Sequence, residues 1–179
     1  MKQRILVAIV ASALLPVQLS AITVVPMTFE QLASEAAAVV YARVSRVEGR
    51  WTADRQAIDS IITLEALQYL KGDLGHEVMM RLPGGEAGGI VNVLPGAPTL
   101  REGELVVLFL KARGPAILTT LGLGQGIFRV IRDPRSGAML VTPPPLKESA
   151  AGRVIRGAAD RRLLSLGAFG DAVRVAAVR

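Results

Sequence analysis

The chain of 179 residues contains no cysteine and a single histidine, His76. The first absence removes thiolate nucleophiles, zinc ribbons and iron–sulfur sites together. The second means that one chain cannot supply a two-histidine metal site. Exported proteins commonly carry disulfides, but small size is what makes them necessary. A chain of this length can rely on its core instead. Aromatics are scarce as well: one Trp, two Tyr and four Phe. Positive charge concentrates locally only at Arg153, Arg156, Arg161 and Arg162, and no aromatic accompanies them. A nucleic-acid groove would interleave the two residue types. The cluster therefore reads as solvated surface, and no nucleic-acid partner is expected.

Long apolar runs are few. The one at the start, "ILVAIVASALL" (5–15), follows Lys2 and Arg4, stops at Pro16, and leads to small residues at Ser20 and Ala21. A basic start, an apolar stretch and a small-residue cut make the layout of a secretory signal peptide. A membrane span would need about 20 apolar residues, and Pro16 and Gln18 leave this run short. No cysteine follows it to accept a lipid. The expectation is a signal peptide over 1–21, a mature chain starting at Ile22, a secreted or periplasmic location, and no stable membrane anchor after cleavage. Cleavage would leave 158 residues with 19 basic and 15 acidic side chains, a charge of +4 with His76 neutral. That size fits one domain, and the charge excess is mild.

The remainder is punctuated like a β protein. "MTFEQLASEAAA" reads as a short helix over 28–36, with Thr28 as cap and Gln31 completing a capping box. Candidate strands follow at 39–48, 57–69, 77–82, 90–94, 105–111, 117–121, 127–132 and 138–142. Between them lie "TADRQ", "KGDLG", "PGGEAGG", "PGAP", "REGE", "GLGQG" and "DPRSG", all rich in turn formers. Many short strands with hardly any helix between them predict an antiparallel barrel or sandwich. The second strand is long and apolar on both faces, which suits a coiled small barrel in which one strand serves two sheets. Pro143, Pro144 and Pro145 close the β region. The expected division is a barrel over 22–145, then a connector and a C-terminal helix over 146–179 packed on it. Ser165 is the candidate N-cap of that helix, which spans 165–178.

Candidate sites are sparse. "GLGQG" (122–126) could suggest a phosphate loop, but such a loop opens a helix, and here the strand-like "IFRVIRD" follows. It reads as a hairpin or barrel-corner turn. In "RLPGGEAGG", Gly84, Gly85, Gly88 and Gly89 surround Glu86, so the backbone needs freedom or close approach there. Two readings stand: a binding loop presenting Glu86 and free N–H groups, or a bulged connection between two strands. His76 reads as a surface residue at a strand start. Glu65, Glu77 and Glu86 carry no signature of a catalytic pair. No catalytic constellation, cofactor or metal site is expected.

Ile22, Thr23, Val24, Val25 and Pro26 spell "ITVVP", which leads into the short helix and then into "AAVVYARVSRVEG". This beginning resembles that of the tissue inhibitors of metalloproteinases. Those proteins start Cys-Thr-Cys-Val-Pro, continue into a helix and enter a first strand of the same character. "IDSIITLEALQYLKG" (58–72) looks like the family's second strand with its lysine–glycine ending, so the similarity covers 22–72. A wider group of bacterial exported proteins is similar in "LPGGEAGG" and "GLGQGIFRV". The resemblance implies a netrin-like fold, an OB-type barrel with flanking helices. It also implies inhibition through the N-terminus, with the first α-amine and carbonyl on the protease zinc and the second side chain in the specificity pocket. Carried over, Ile22 supplies amine and carbonyl, Thr23 the pocket side chain, and Val25 and Pro26 the stiffening Val-Pro. Ile22 and Val24 stand where the family has disulfide-forming cysteines. The expectation is an exported, non-enzymatic binding module whose partner is a protein, an exported metalloprotease. The alternative is an OB-type barrel holding an oligosaccharide or other extracytoplasmic ligand.

Overall fold

The computed structural model describes residues 25–112, 117–144 and 163–178. The expected signal segment, Ile22, Thr23, Val24 and nearly all of the expected connector lie outside the described residues. Along the chain come α1 (Phe29–Glu35), β1 (Ala38–Trp51), β2 (Ile58–Lys71), β3 (Glu77–Pro83), β4 (Gly85–Ala87) and β5 (Ile90–Asn92). Then follow β6 (Leu105–Ala112), β7 (Leu118–Thr120), β8 (Ile127–Arg132), β9 (Met139–Thr142), β10 (Leu164–Ser165) and α2 (Leu166–Val178).

The barrel grows from two 14-residue strands, β1 and β2, paired antiparallel along their length. β3 pairs with the far edge of β2, and β6 with the far edge of β1. Short β7 closes the ring, antiparallel to β6 and parallel to β3 through Met80 and Leu118. The cycle β1-β2-β3-β7-β6-β1 is a closed five-stranded barrel of OB type, with the expected helix at each end of the chain. β1 reaches around it by breaking register at three places. At one of them Ser45 drops out of the pairing and its hydroxyl donates to the Thr63 carbonyl at 3.0 Å. Such bulges bend a strand and raise its twist.

The run "LVVLFL" in β6 shows how the core divides. Val106, Leu108 and Leu110 point into the barrel with Val40, Val44, Ile62, Leu64, Met80 and Leu82. Val107 and Phe109 point the other way, into a second core beneath the helices. A strand buried on both faces must read as a continuous apolar run. The second core gathers all four phenylalanines of the chain: Phe29 of α1, Phe109 of β6, Phe128 of β8 and Phe169 of α2. Their ring centroids lie 5.0–6.4 Å apart, mostly edge to face.

Helix ends follow the sequence signals. Gln31 N–H donates to Thr28 Oγ1 and Thr28 N–H to Gln31 Oε1, so the capping box forms. Ala168 N–H donates to Ser165 Oγ, the expected N-cap of α2. At the other end of α1, Lys71 Nζ donates to the Ala33 and Ser34 carbonyls at 2.7 and 3.0 Å. Lys71 thus closes a helix whose last carbonyls have no intrahelical partner. Two strands lacked a sequence signal, β4 and β10. β10 extends the sheet beyond β9 immediately before α2, where the sequence suggested the end of the connector and the helix cap.

Candidate functional site

Pro26 lacks an amide hydrogen and fixes its own φ, so the chain enters α1 through a stiff step. One side chain holds this step from across the molecule. Gln125 Oε1 accepts from Met27 N–H at 2.8 Å, and Gln125 Nε2 donates to the Val25 carbonyl at 2.9 Å. In an extended chain the carbonyl of one residue and the N–H two residues later face the same side. The glutamine amide therefore stands where a neighbouring strand would. With Thr28 and Gln31 taking up the next amides, fixed backbone runs unbroken from Val25 into α1. The Val25 side chain is 74% exposed.

The 122–126 turn is built to aim that amide. β7 and β8 pair with the same edge of β6, so the chain must leave that edge at Leu121 and return at Ile127. Phe109 N–H donates to the Gly126 carbonyl, Leu121 N–H to the Phe109 carbonyl and Gly126 N–H to the Leu121 carbonyl, all at 2.9–3.0 Å. A Cβ on Gly126 would sit 2.7 Å from the Leu121 oxygen, and one on Gly122 2.9 Å from Gln125 Nε2. "GLGQG" is the expected barrel-corner turn, and its glycines make room for the glutamine to fold back. In the sequence the glycines of this turn stand out and Gln125 does not.

The "PGGEAGG" segment is a hairpin. Gly84 N–H donates to the Ile58 carbonyl at 2.9 Å, and the Gly84 carbonyl accepts from Ser60 Oγ at 2.7 Å, pinning the start of the segment to β2. Gly88 and Gly89, with φ of 61° and 76°, form the two-residue turn between β4 and β5. Gly84 and Gly85 are half-buried, whereas Glu86, Gly88 and Gly89 are exposed. Ile90, Val91 and Val93 beyond the turn are all more than half exposed. The segment is therefore a paired connection that also presents Glu86 and three apolar side chains to solvent.

The two candidate segments share no hydrogen bond among the described residues. Val25 and Met27 are bound to Gln125, and Gly84 is bound to β2. The 122–126 turn approaches the segment after β5, since a Cβ on Gly124 would lie 3.7 Å from the Pro98 ring.

Elsewhere the outer face of β1, β2 and β3 carries paired charges: Arg43–Glu65 at 3.5 Å, Arg81–Asp59 at 3.4 Å, and Glu48 between Arg46 and Arg50 at 3.0 and 2.8 Å. The Arg50 hydrogen bond, followed by the field of both arginines, holds the Glu48 carboxyl below its ordinary pKa. Asp54 is lowered by the Thr52 hydroxyl and the Gln56 amide, which lock the β1–β2 turn. An open depression of about 380 Å³ lies between Trp51 and Arg55 beside that turn. His76 is exposed at the start of β3, as expected. Among the described residues no cluster of His, Asp and Glu is arranged to hold a metal ion, and no helix is long and apolar enough to cross a membrane. Comparison with protein-family models, curated proteins and solved structures finds no match for this chain.

Proposed function

We propose that the protein is an exported, netrin-like binding module that engages a protein partner, an exported zinc protease, through the residues preceding Val25. The observation that supports this reading is the hold of Gln125 on Val25 and Met27. An N-terminal wedge needs a fixed root, because an unpinned segment would lose about 1–2 kcal/mol per residue on becoming ordered. In this role the Ile22 amine and carbonyl meet the zinc, and Thr23 enters the specificity pocket. Acetylating the Ile22 amine, or adding one residue before it, should abolish inhibition while leaving the fold intact, since only an unprotonated amine offers zinc a lone pair. Replacing Thr23 should change which protease is inhibited. A panel of zinc proteases that responds alike to native and extended N-termini would refute the wedge.

A second reading is favoured by Trp51. The only tryptophan of the chain is 42% exposed at the end of β1, beside the β1–β2 turn. OB-type barrels bind oligosaccharides with that loop and the neighbouring face. If this is the working surface, titration with soluble oligosaccharides should shift the indole fluorescence saturably, and Trp51→Ala should abolish binding. An indole emission unmoved across an oligosaccharide panel would remove the reading.

A further inference from the structure

We infer that Gln125 is the positioning residue of the N-terminal segment, a non-covalent tether that fixes the direction in which the residues before Val25 leave the barrel. This deepens the proposed function and rests on that reading for its effect on a partner, but the tether has an observable of its own.

The amide of Gln125 satisfies two backbone groups that lie 98 and 100 residues away in sequence, Met27 N–H and the Val25 carbonyl. Both of its ends are used, so the side chain cannot rotate without losing a bond. Its nitrogen also lies 3.3 Å from the Gly122 carbonyl, which holds the amide from behind. The residue it brackets is Pro26, the one residue type with no N–H of its own to satisfy. Downstream, Thr28 and Gln31 fix the next turn of chain. Among the described residues, the first point at which the backbone is held is therefore the Val25 carbonyl. Three further residues reach at most about 10 Å when extended. The 122–126 turn that carries Gln125, and the Pro98 segment 3.7 Å from a Cβ on Gly124, stand beside this anchor.

A glutamine suits this task for a reason that a variant can expose. A carboxamide donates at one end and accepts at the other. A carboxylate can accept from Met27 N–H but repels the Val25 carbonyl. A protonated carboxyl again donates and accepts, in nearly the same shape. Gln125→Glu should therefore be a pH-dependent tether, engaged when the new carboxyl is protonated and released as pH rises through its pKa. A side chain that only filled space would show no such dependence.

The experiment is amide hydrogen exchange of the full exported protein, read at Met27, alongside inhibition of the zinc-protease panel, for native protein, Gln125→Ala and Gln125→Glu. In Gln125→Ala the Met27 amide should exchange at least about tenfold faster, with barrel amides such as Val40 and Leu108 unchanged. Inhibition should weaken by roughly 10- to 100-fold, the loss of two hydrogen bonds. In Gln125→Glu, Met27 protection should be native-like at low pH and fall as pH rises. Met27 exchange that ignores both variants overturns the inference. Where the native chain does inhibit a protease of the panel, Gln125→Ala inhibiting it equally well also overturns the inference. Accelerated Met27 exchange in Gln125→Ala, together with native protein that inhibits nothing, would uphold the tether and refute the protease reading instead.

Discussion

Phe109→Ala should lower the stability of the protein by about 3–5 kcal/mol, the range for removing a buried ring. Phe109 is completely buried in β6. Its ring meets Phe29 at 5.9 Å, Phe128 at 5.4 Å and Phe169 at 6.2 Å, so one truncation removes three aromatic contacts. Each pair contributes about 0.5–1.5 kcal/mol beyond its buried area. The cavity cannot close cheaply, because the Phe109 backbone is itself bonded to Leu121 and Gly126 at the barrel corner. Phe109→Leu keeps most of the volume and should cost under about 1.5 kcal/mol. Urea denaturation followed by circular dichroism distinguishes the two, through a fall in midpoint with little change in slope. Equal midpoints for the alanine variant and native protein would mean that the helices do not depend on this cluster. Because α1 and α2 both meet the barrel through phenylalanine, the loss should also loosen the base on which the N-terminal segment stands.

How much of this was legible in the sequence depends on whether a feature is local. The 127–132 strand, the capping box at Thr28 and Gln31 and the cap at Ser165 are written within a few residues, and each lies where the sequence placed it. The 105–111 strand also lies where the sequence placed it, though its burial on both faces and the gathering of every phenylalanine on its far side emerge only in the fold. β4 was invisible because Gly84, Gly85, Gly88 and Gly89 are strand breakers by propensity. Pairing with β5 and packing against β1 override that preference. The tether was invisible for a different reason. Gln125 meets Val25 and Met27 across a separation of about 100 residues, and a glutamine in a turn has no period to betray it. Its neighbours Gly122 and Gly126 stand out in the sequence, but they also serve the corner itself, where Gly126 closes on the Leu121 carbonyl, so they do not single out the glutamine.

Gly49→Ala should displace the β4–β5 hairpin, with a loss at or above the upper end of the about 1–3 kcal/mol typical of overpacking. A Cβ at Gly49 would stand 1.8 Å from the Glu86 carbonyl oxygen and 2.6 Å from its carbon. Both are backbone atoms, so no rotamer can move them aside. Either β1 or the hairpin must shift. β1 is paired with β2 along nearly its whole length, whereas β4 is three residues long and its strand pairing is with β5. The hairpin should therefore yield, and the barrel should remain. Gly88→Ala is the matched control. Nothing lies within 4 Å of its added methyl, and only the φ of 61° opposes it. That strain amounts to about 1–2 kcal/mol and involves no collision. Hydrogen exchange should show the 85–92 amides opening in Gly49→Ala while those of β1, β2 and β6 stay protected. The same amides should stay largely closed in Gly88→Ala. If both variants open the hairpin equally, its seat on Gly49 is not what holds it. Should Gly49→Ala leave partner binding untouched while the hairpin is open, then Glu86 and its glycines lie outside the working surface, which would then belong to the Gln125 corner alone.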